Sequence, residues 1–157
     1  MAAGTWKLFD KAKYKIGLGT ITLGASGHFR MGLLTSASHL KTTASARGFS
    51  SWSALIAGAG EVASANGYCT SGKTLGTTTW TSIATGNYRF NTSALGAKWS
   101  ATGAITNIKY ACIFASAAAA ANCHLLCYAT LSTAAISLAS TNALSVKPSA
   151  TGVFNLS

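Results

Sequence analysis

Apolar and polar positions change their spacing along the chain, and the change separates a short helical start from a long β-rich remainder. Near the N-terminus Trp6, Phe9 and Ile16 recur at helical spacing with Ala12 beside them. Lys7, Lys11 and Lys15 recur every four residues on the other side, with Lys13 nearby. This pattern predicts an amphipathic helix over residues 5–16, capped by Thr5 and carrying Asp10 inside it. The next segment changes period: Phe29, Met31 and Leu33 alternate with His28, Arg30, Gly32 and Leu34, which predicts a strand over 28–36. A short helix over 51–59 fits Trp52, Leu55 and Ile56, with Gly58-Ala59-Gly60 as its stop.

After Glu61 the texture is that of short strands between turns. Thr-, Ser- and aromatic-rich runs predict strands at 74–83, 88–92, 97–102, 106–116, 123–131, 143–147 and 153–156. Asn66-Gly67, Ser71-Gly72, Gly86-Asn87, Gly96, Gly103 and Pro148-Ser149 are the breakers between them. The Ala-rich run 115–121 reads as the loop of a hairpin joining 106–116 to 123–131. Strands of this length and spacing predict a mainly β, antiparallel sandwich or jelly-roll-like architecture with a short N-terminal helix. Nothing resembles a linker, so residues 1–157 form a single β-rich domain, of which 1–20 are an N-terminal helical arm.

Charge narrows the function classes. Asp10 and Glu61 are the only side-chain carboxylates against twelve Lys and Arg, a formal net charge of +10. Paired-carboxylate hydrolysis and carboxylate-caged Mg²⁺ or Ca²⁺ both need more acidic groups than this. The excess of positive charge points to an acidic partner. Charged residues make up only 9% of the chain, so Ser, Thr, Asn, Gly and Ala must build most of the surface, which suits a docked protein. Lys7, Lys11, Lys13, Lys15 and Arg30 are the candidate electrostatic contacts. Beyond the N-terminal cluster the lysines are spread thinly, and Trp80, Tyr88, Phe90, Trp99, Tyr110 and Phe114 fall where a β core or an interface would use them, so nucleic acid is the weaker partner.

Candidate chemistry changes this picture little. Serines abound beside His28, His39 and His124, but no Gly-x-Ser-x-Gly elbow occurs and an orienting carboxylate is scarce. The Gly72-Lys73-Thr74 triplet reads as a chance match to a phosphate-binding loop. Cys123 and Cys127, set in a strand, share a face but stand roughly 13 Å apart, too far to chelate one ion or to bond each other. The default for the thiols is reduced core packing. In one plausible hairpin register Cys112 lies near Cys127, the candidate disulfide if the protein meets an oxidising exterior. The reading is of a protein without catalytic residues, cofactor or metal. The uncharged stretch between Lys109 and Lys147 is mostly Ala, Ser and Thr around Asn122 and His124, a poor membrane span. Residues 1–7 lack the apolar core of a secretion signal, so synthesis in a cytoplasm is expected.

Several segments together resemble a family of small tailed-bacteriophage virion structural proteins. They are Phe9-Asp10, Met31-Gly-Leu-Leu-Thr-Ser36, Glu61-Val62, Gly67-Tyr68, Ser71-Gly-Lys-Thr-Leu75 and Trp99, then Lys109-Tyr-Ala-Cys-Ile-Phe114, Leu125-Leu-Cys-Tyr128 and Gly152-Val-Phe-Asn-Leu156. The resemblance spans most of the chain, which departs from the family in its scarcity of Asp and Glu. It implies a virion component made in the host cytoplasm, either a capsid decoration (cement) protein or a module of the tail or fibres. Its implied partners are other virion proteins, the major capsid protein first, and copies of itself, as in a trimer bridging capsomers. A fibre-anchoring or host-glycan-binding module and a basic nucleic-acid binder are the alternative functions.

Overall fold

The computed structural model describes residues 5–24, 27–41, 48–92, 97–116, 123–147 and 152–156. Its centre is β7 (Ile105–Ala115), paired antiparallel on one side with β2 (Phe29–Thr35) and on the other with β8 (His124–Thr130). β1 (Lys7–Leu8) extends the sheet beyond β8, and β3 (Lys73–Thr74) extends it beyond β2. The order is β1-β8-β7-β2-β3, with β9 (Ile136–Leu138) pairing the early part of β7. A second sheet runs in the order β11 (Phe154–Leu156), β5 (Asn87–Thr92), β4 (Thr78–Ala84), and a third pairs β6 (Ala97–Ser100) with β10 (Ala143–Val146). The protein is mainly β; among the described residues all ladders are antiparallel and no sheet closes into a barrel.

The middle strands are apolar because both faces of the sheet are covered. In β2 every residue but Arg30 is buried, and in β7 the run Tyr110–Phe114 is buried without a break. Alternation puts Phe29 and Gly32 on opposite faces. Gly32 lies under the indole of Trp52, on α2 (Trp52–Ile56), and Trp52 stacks on Phe114 at 4.2 Å. On the other face Phe29 meets Phe90 of the second sheet edge-on at 5.1 Å. The main sheet is thus the middle layer between a helical turn and a smaller sheet. The strict inward-outward alternation read for 28–36 is therefore not what β2 uses, since a central strand has no solvent face.

Most element positions follow the pattern in the sequence, with a few corrections. The helix expected over 5–16 begins later: Lys7 and Leu8 pair with Tyr128 and Cys127, and α1 spans Asp10–Gly17. The exposed edge of β8 offers backbone partners that the first helical turn would have lacked. Phe9, not Thr5, occupies the N-cap, and no side chain caps it. The strand expected over 74–83 is two strands, interrupted where Leu75 turns inward and donates its N–H to Phe29 O at 2.8 Å. β9 is a strand that the sequence pattern did not mark. α2 is shorter than 51–59, starting after Ser51, whose hydroxyl accepts from Ala54 N at 3.4 Å. The hairpin of β7 and β8 forms as expected; residues 117–122 of its Ala-rich connection lie outside the described residues.

Candidate functional site

Two surfaces and one buried network collect the residues with chemical potential. The first surface is the N-terminal segment. β1 is stitched to the edge of β8, and Phe9 follows, donating its N–H to Leu126 O at 3.1 Å and packing its ring 5.0 Å from Tyr128. Ala12 is buried beneath α1. With its apolar side so anchored, the segment exposes Lys7, Lys11 and Lys13 from a fixed backbone. A groove of about 570 Å³ runs beside it, lined by Trp6, Leu8, Lys13 and the residues of β11. Lys15 does not join this display. It is half-buried, and its Nζ donates to His124 Nδ1 at 2.7 Å. Burial first, and then Lys11, lowers the pKa of Lys15; burial and then Lys15 lowers that of His124.

Arg30 lies elsewhere. From β1 to β2 the sheet steps across β8 and β7, about 14 Å at the usual strand spacing. Of the five basic residues singled out in the sequence, Lys7, Lys11 and Lys13 therefore share one surface, Arg30 belongs to another, and Lys15 is engaged with His124. Arg30 is half-buried and its Nη2 donates to Gly72 O at 2.8 Å. Beside it sits Glu61, which bridges to Leu34 on the β3 side of β2. Glu61 Oε1 accepts from Tyr68 Oη at 2.8 Å and from Ser71 N at 2.6 Å. Tyr68 Oη in turn accepts from Leu33 N at 3.0 Å. Burial raises the carboxyl pKa of Glu61 against these stabilising bonds, and burial together with the Glu61 charge pushes the Tyr68 phenol far up. Glu61 thus serves as the acceptor that fixes the 61–72 loop to β2. Asp10 follows β1, four strand spacings from Glu61, on the order of 19 Å. The two carboxylates share no cleft.

Over this network opens a cleft of about 450 Å³, lined by Arg30, Gly67, Cys69, Gly72, Lys73, Thr74 and Trp99. Lys73 Nζ donates to Lys98 O at 2.9 Å across it. The Gly72-Lys73-Thr74 triplet belongs to a longer match. Gly67 does stand at the phosphate-loop spacing, so residues 67–74 satisfy Gly-x-x-x-x-Gly-Lys-Thr. The structure gives them a different context. Lys73 and Thr74 enter a strand, not a helix. The N–H groups of Tyr68, Ser71 and Gly72 are spent on Ala65 O, Glu61 Oε1 and Cys69 O. A phosphate cradle needs those donors pointing at the ligand.

The cysteines divide by exposure. Cys69 is exposed, Cys112, Cys123 and Cys127 are buried, and all four are reduced. The candidate Cys112–Cys127 pairing does not fit the register: Cys112 lies opposite Tyr128 while Cys127 lies opposite Ile113, so their side chains leave opposite faces of the sheet. Burial pushes both thiols well above the ordinary range. Among the described residues no group of three His, Cys, Asp or Glu is placed to hold a metal ion, and no helix is long and apolar enough to cross a membrane.

Of the aromatics assigned to core or interface, Phe90, Trp99, Tyr110 and Phe114 are buried. Trp80 and Tyr88 instead stack at 5.6 Å near the tip of the β4–β5 hairpin, with Tyr88 44% exposed. Sequence reasoning passed over Cys69, Lys73 and Trp99 as cleft residues. Their one sequence signal was the Gly67–Thr74 spacing, and nothing local ties it to residues 30 or 99. Comparison with protein-family models, with curated proteins and with solved structures gives no match.

Proposed function

We infer that this protein is a non-catalytic structural subunit of a bacteriophage particle, a decoration protein that stabilises the capsid. One observation carries the reading: Lys7, Lys11 and Lys13 are displayed from a backbone pinned to the sheet edge by β1 and Phe9. A basic face held rigid in this way loses little conformational freedom on docking to an acidic protein lattice. Binding the assembled shell and not its free subunits would shift the equilibrium toward the shell by mass action. The major capsid protein is the proposed partner, with copies of this chain as neighbours. The separation of Asp10 from Glu61, and the use of Glu61 as a loop anchor, support a role without turnover. Purified particles should contain this chain in many copies, read by quantitative mass spectrometry. One or a few copies per particle would remove the decoration role.

The stacked Trp80–Tyr88 pair favours a second reading, a tail or fibre module that holds host glycan against the exposed Tyr88 ring. Retention of the protein on host polysaccharide, lost in Tyr88→Ala, would select it. A nucleic-acid binder would instead show DNA affinity falling steeply with salt.

A further inference from the structure

We propose that the cleft between β3 and β6 is a carboxylate-binding site that takes an acidic side chain from a neighbouring polypeptide. It rests on the reading of an acidic protein partner and names where that partner is gripped. Arg30 and Lys73 line the cleft, and the partners that hold them there are backbone carbonyls, Gly72 O and Lys98 O. Arg30 Nε is buried and has no hydrogen-bond partner among the described residues. Glu61 offsets part of this charge, but its Oε1 is already taken by Tyr68 and Ser71. Two cations therefore line a cleft whose walls do not include Glu61. Arginine presents a planar fork suited to a second carboxylate, and lysine adds a mobile point charge.

The chemistry of the walls selects among anions. The Tyr68, Ser71 and Gly72 N–H groups, which a phosphate cradle would use, are engaged within the 61–72 loop. Trp99 is only 3% exposed, so it offers a sugar no ring face. β3 is the terminal strand of the main sheet, and both of its residues are exposed. An extended acidic segment can lie along it and send one side chain into the cleft, the geometry of strand addition. The chain's own charge of +10 makes an acidic segment the favoured occupant.

Cys69 supplies the probe, being the exposed thiol at the rim while the other three are buried. The full-length protein is titrated with a fluorescein-labelled oligo-glutamate peptide, with oligo-glutamine as control. The rate of Cys69 alkylation by iodoacetamide is followed by mass spectrometry. Oligo-glutamate should bind and slow alkylation, and oligo-glutamine should do neither. Lys73→Gln should weaken binding about tenfold, the scale of one charge-assisted hydrogen bond. Because Arg30 also braces the Gly72 turn, the exposed Lys73 is the decisive variant. The triple variant K7Q/K11Q/K13Q should keep the protection of Cys69. Unchanged alkylation at saturating oligo-glutamate overturns the proposal. So does protection by inorganic phosphate or Mg·ATP in place of the peptide, or loss of binding in the triple variant but not in Lys73→Gln. A cleft that binds the peptide in a protein scarce in particles would remove decoration alone. A protein abundant in particles whose cleft ignores the peptide would remove this proposal alone.

Discussion

At the residue scale, Glu61 shows how a scarce group is used. Its Oε1 accepts both from Tyr68 and from Ser71, so it joins the 61–72 loop to β2 through a single atom. Glu61→Ala leaves a buried phenol hydroxyl and an amide without their acceptor and should cost about 1–3 kcal/mol in urea unfolding. Glu61→Gln keeps an acceptor oxygen in place and should cost much less. The raised carboxyl pKa gives the variant a second signature. A group whose folded pKa lies above its unfolded value favours the fold below the unfolded pKa and loses that contribution as pH rises through the folded one. Glu61→Gln should therefore gain stability relative to the parent as pH rises above the ordinary carboxyl range, about 4. Gly32 is the other decisive position. A Cβ there would meet the Trp52 ring, through which α2 packs on the sheet. Gly32→Ala should destabilise by about 1–3 kcal/mol and shift the tryptophan emission, since the ring must leave Phe114. Composition made Glu61 notable, but its partners Tyr68, Ser71 and Leu34 could not be read from the chain, because loop and strand meet only in the fold.

At the element scale, α1 is a helix held from outside itself. It is eight residues long, without a side-chain cap, and such a helix is marginal alone. Phe9 on Tyr128 and Lys15 on His124 attach it to β8. The second contact needs a neutral imidazole as acceptor. Burial, and then the Lys15 ammonium, lowers the His124 pKa. A histidine whose folded pKa is depressed contributes above its unfolded pKa, and the contribution is lost as pH falls through the folded value. Stability should fall between about pH 7 and about pH 5, and His124→Gln, which keeps a neutral acceptor, should flatten that slope in thermal unfolding. The helix itself was legible as an amphipathic run. Its start was not, because the competing partner for Lys7 and Leu8 is the edge of β8, some 120 residues away in sequence. The division of 74–83 has the same kind of cause: Leu75 is drawn to Phe29 O, an acceptor no local pattern advertises.

For the whole molecule, the imbalance of charge is the dominant property. Five of the twelve basic residues gather in two places, the arm with Lys7, Lys11 and Lys13 and the cleft with Arg30 and Lys73. The arm should set long-range attraction. K7Q/K11Q/K13Q should slow association with particles stripped of the protein, by roughly tenfold at low salt, and abolish most of the salt dependence. Stopped-flow binding across a salt series would check both. The folded protein itself should be little affected, because these ammonium groups are exposed and support no packing.

The sequence by itself determined the mainly β, antiparallel class, the placement of most strands, the β7–β8 hairpin and the single sign of charge. Those properties are local or additive: side-chain period, turn residues and a sum of charges need no knowledge of distant neighbours. Only the tertiary structure decided that Lys7 and Leu8 become an edge strand, that Cys112 and Cys127 face away from each other, and that Arg30, Cys69, Lys73 and Trp99 meet around one cleft. Each of these depends on which strands pair and in what register. A shift of one residue in register turns every side chain of a strand to the other face, and here that register is set by contacts between segments far apart in the chain.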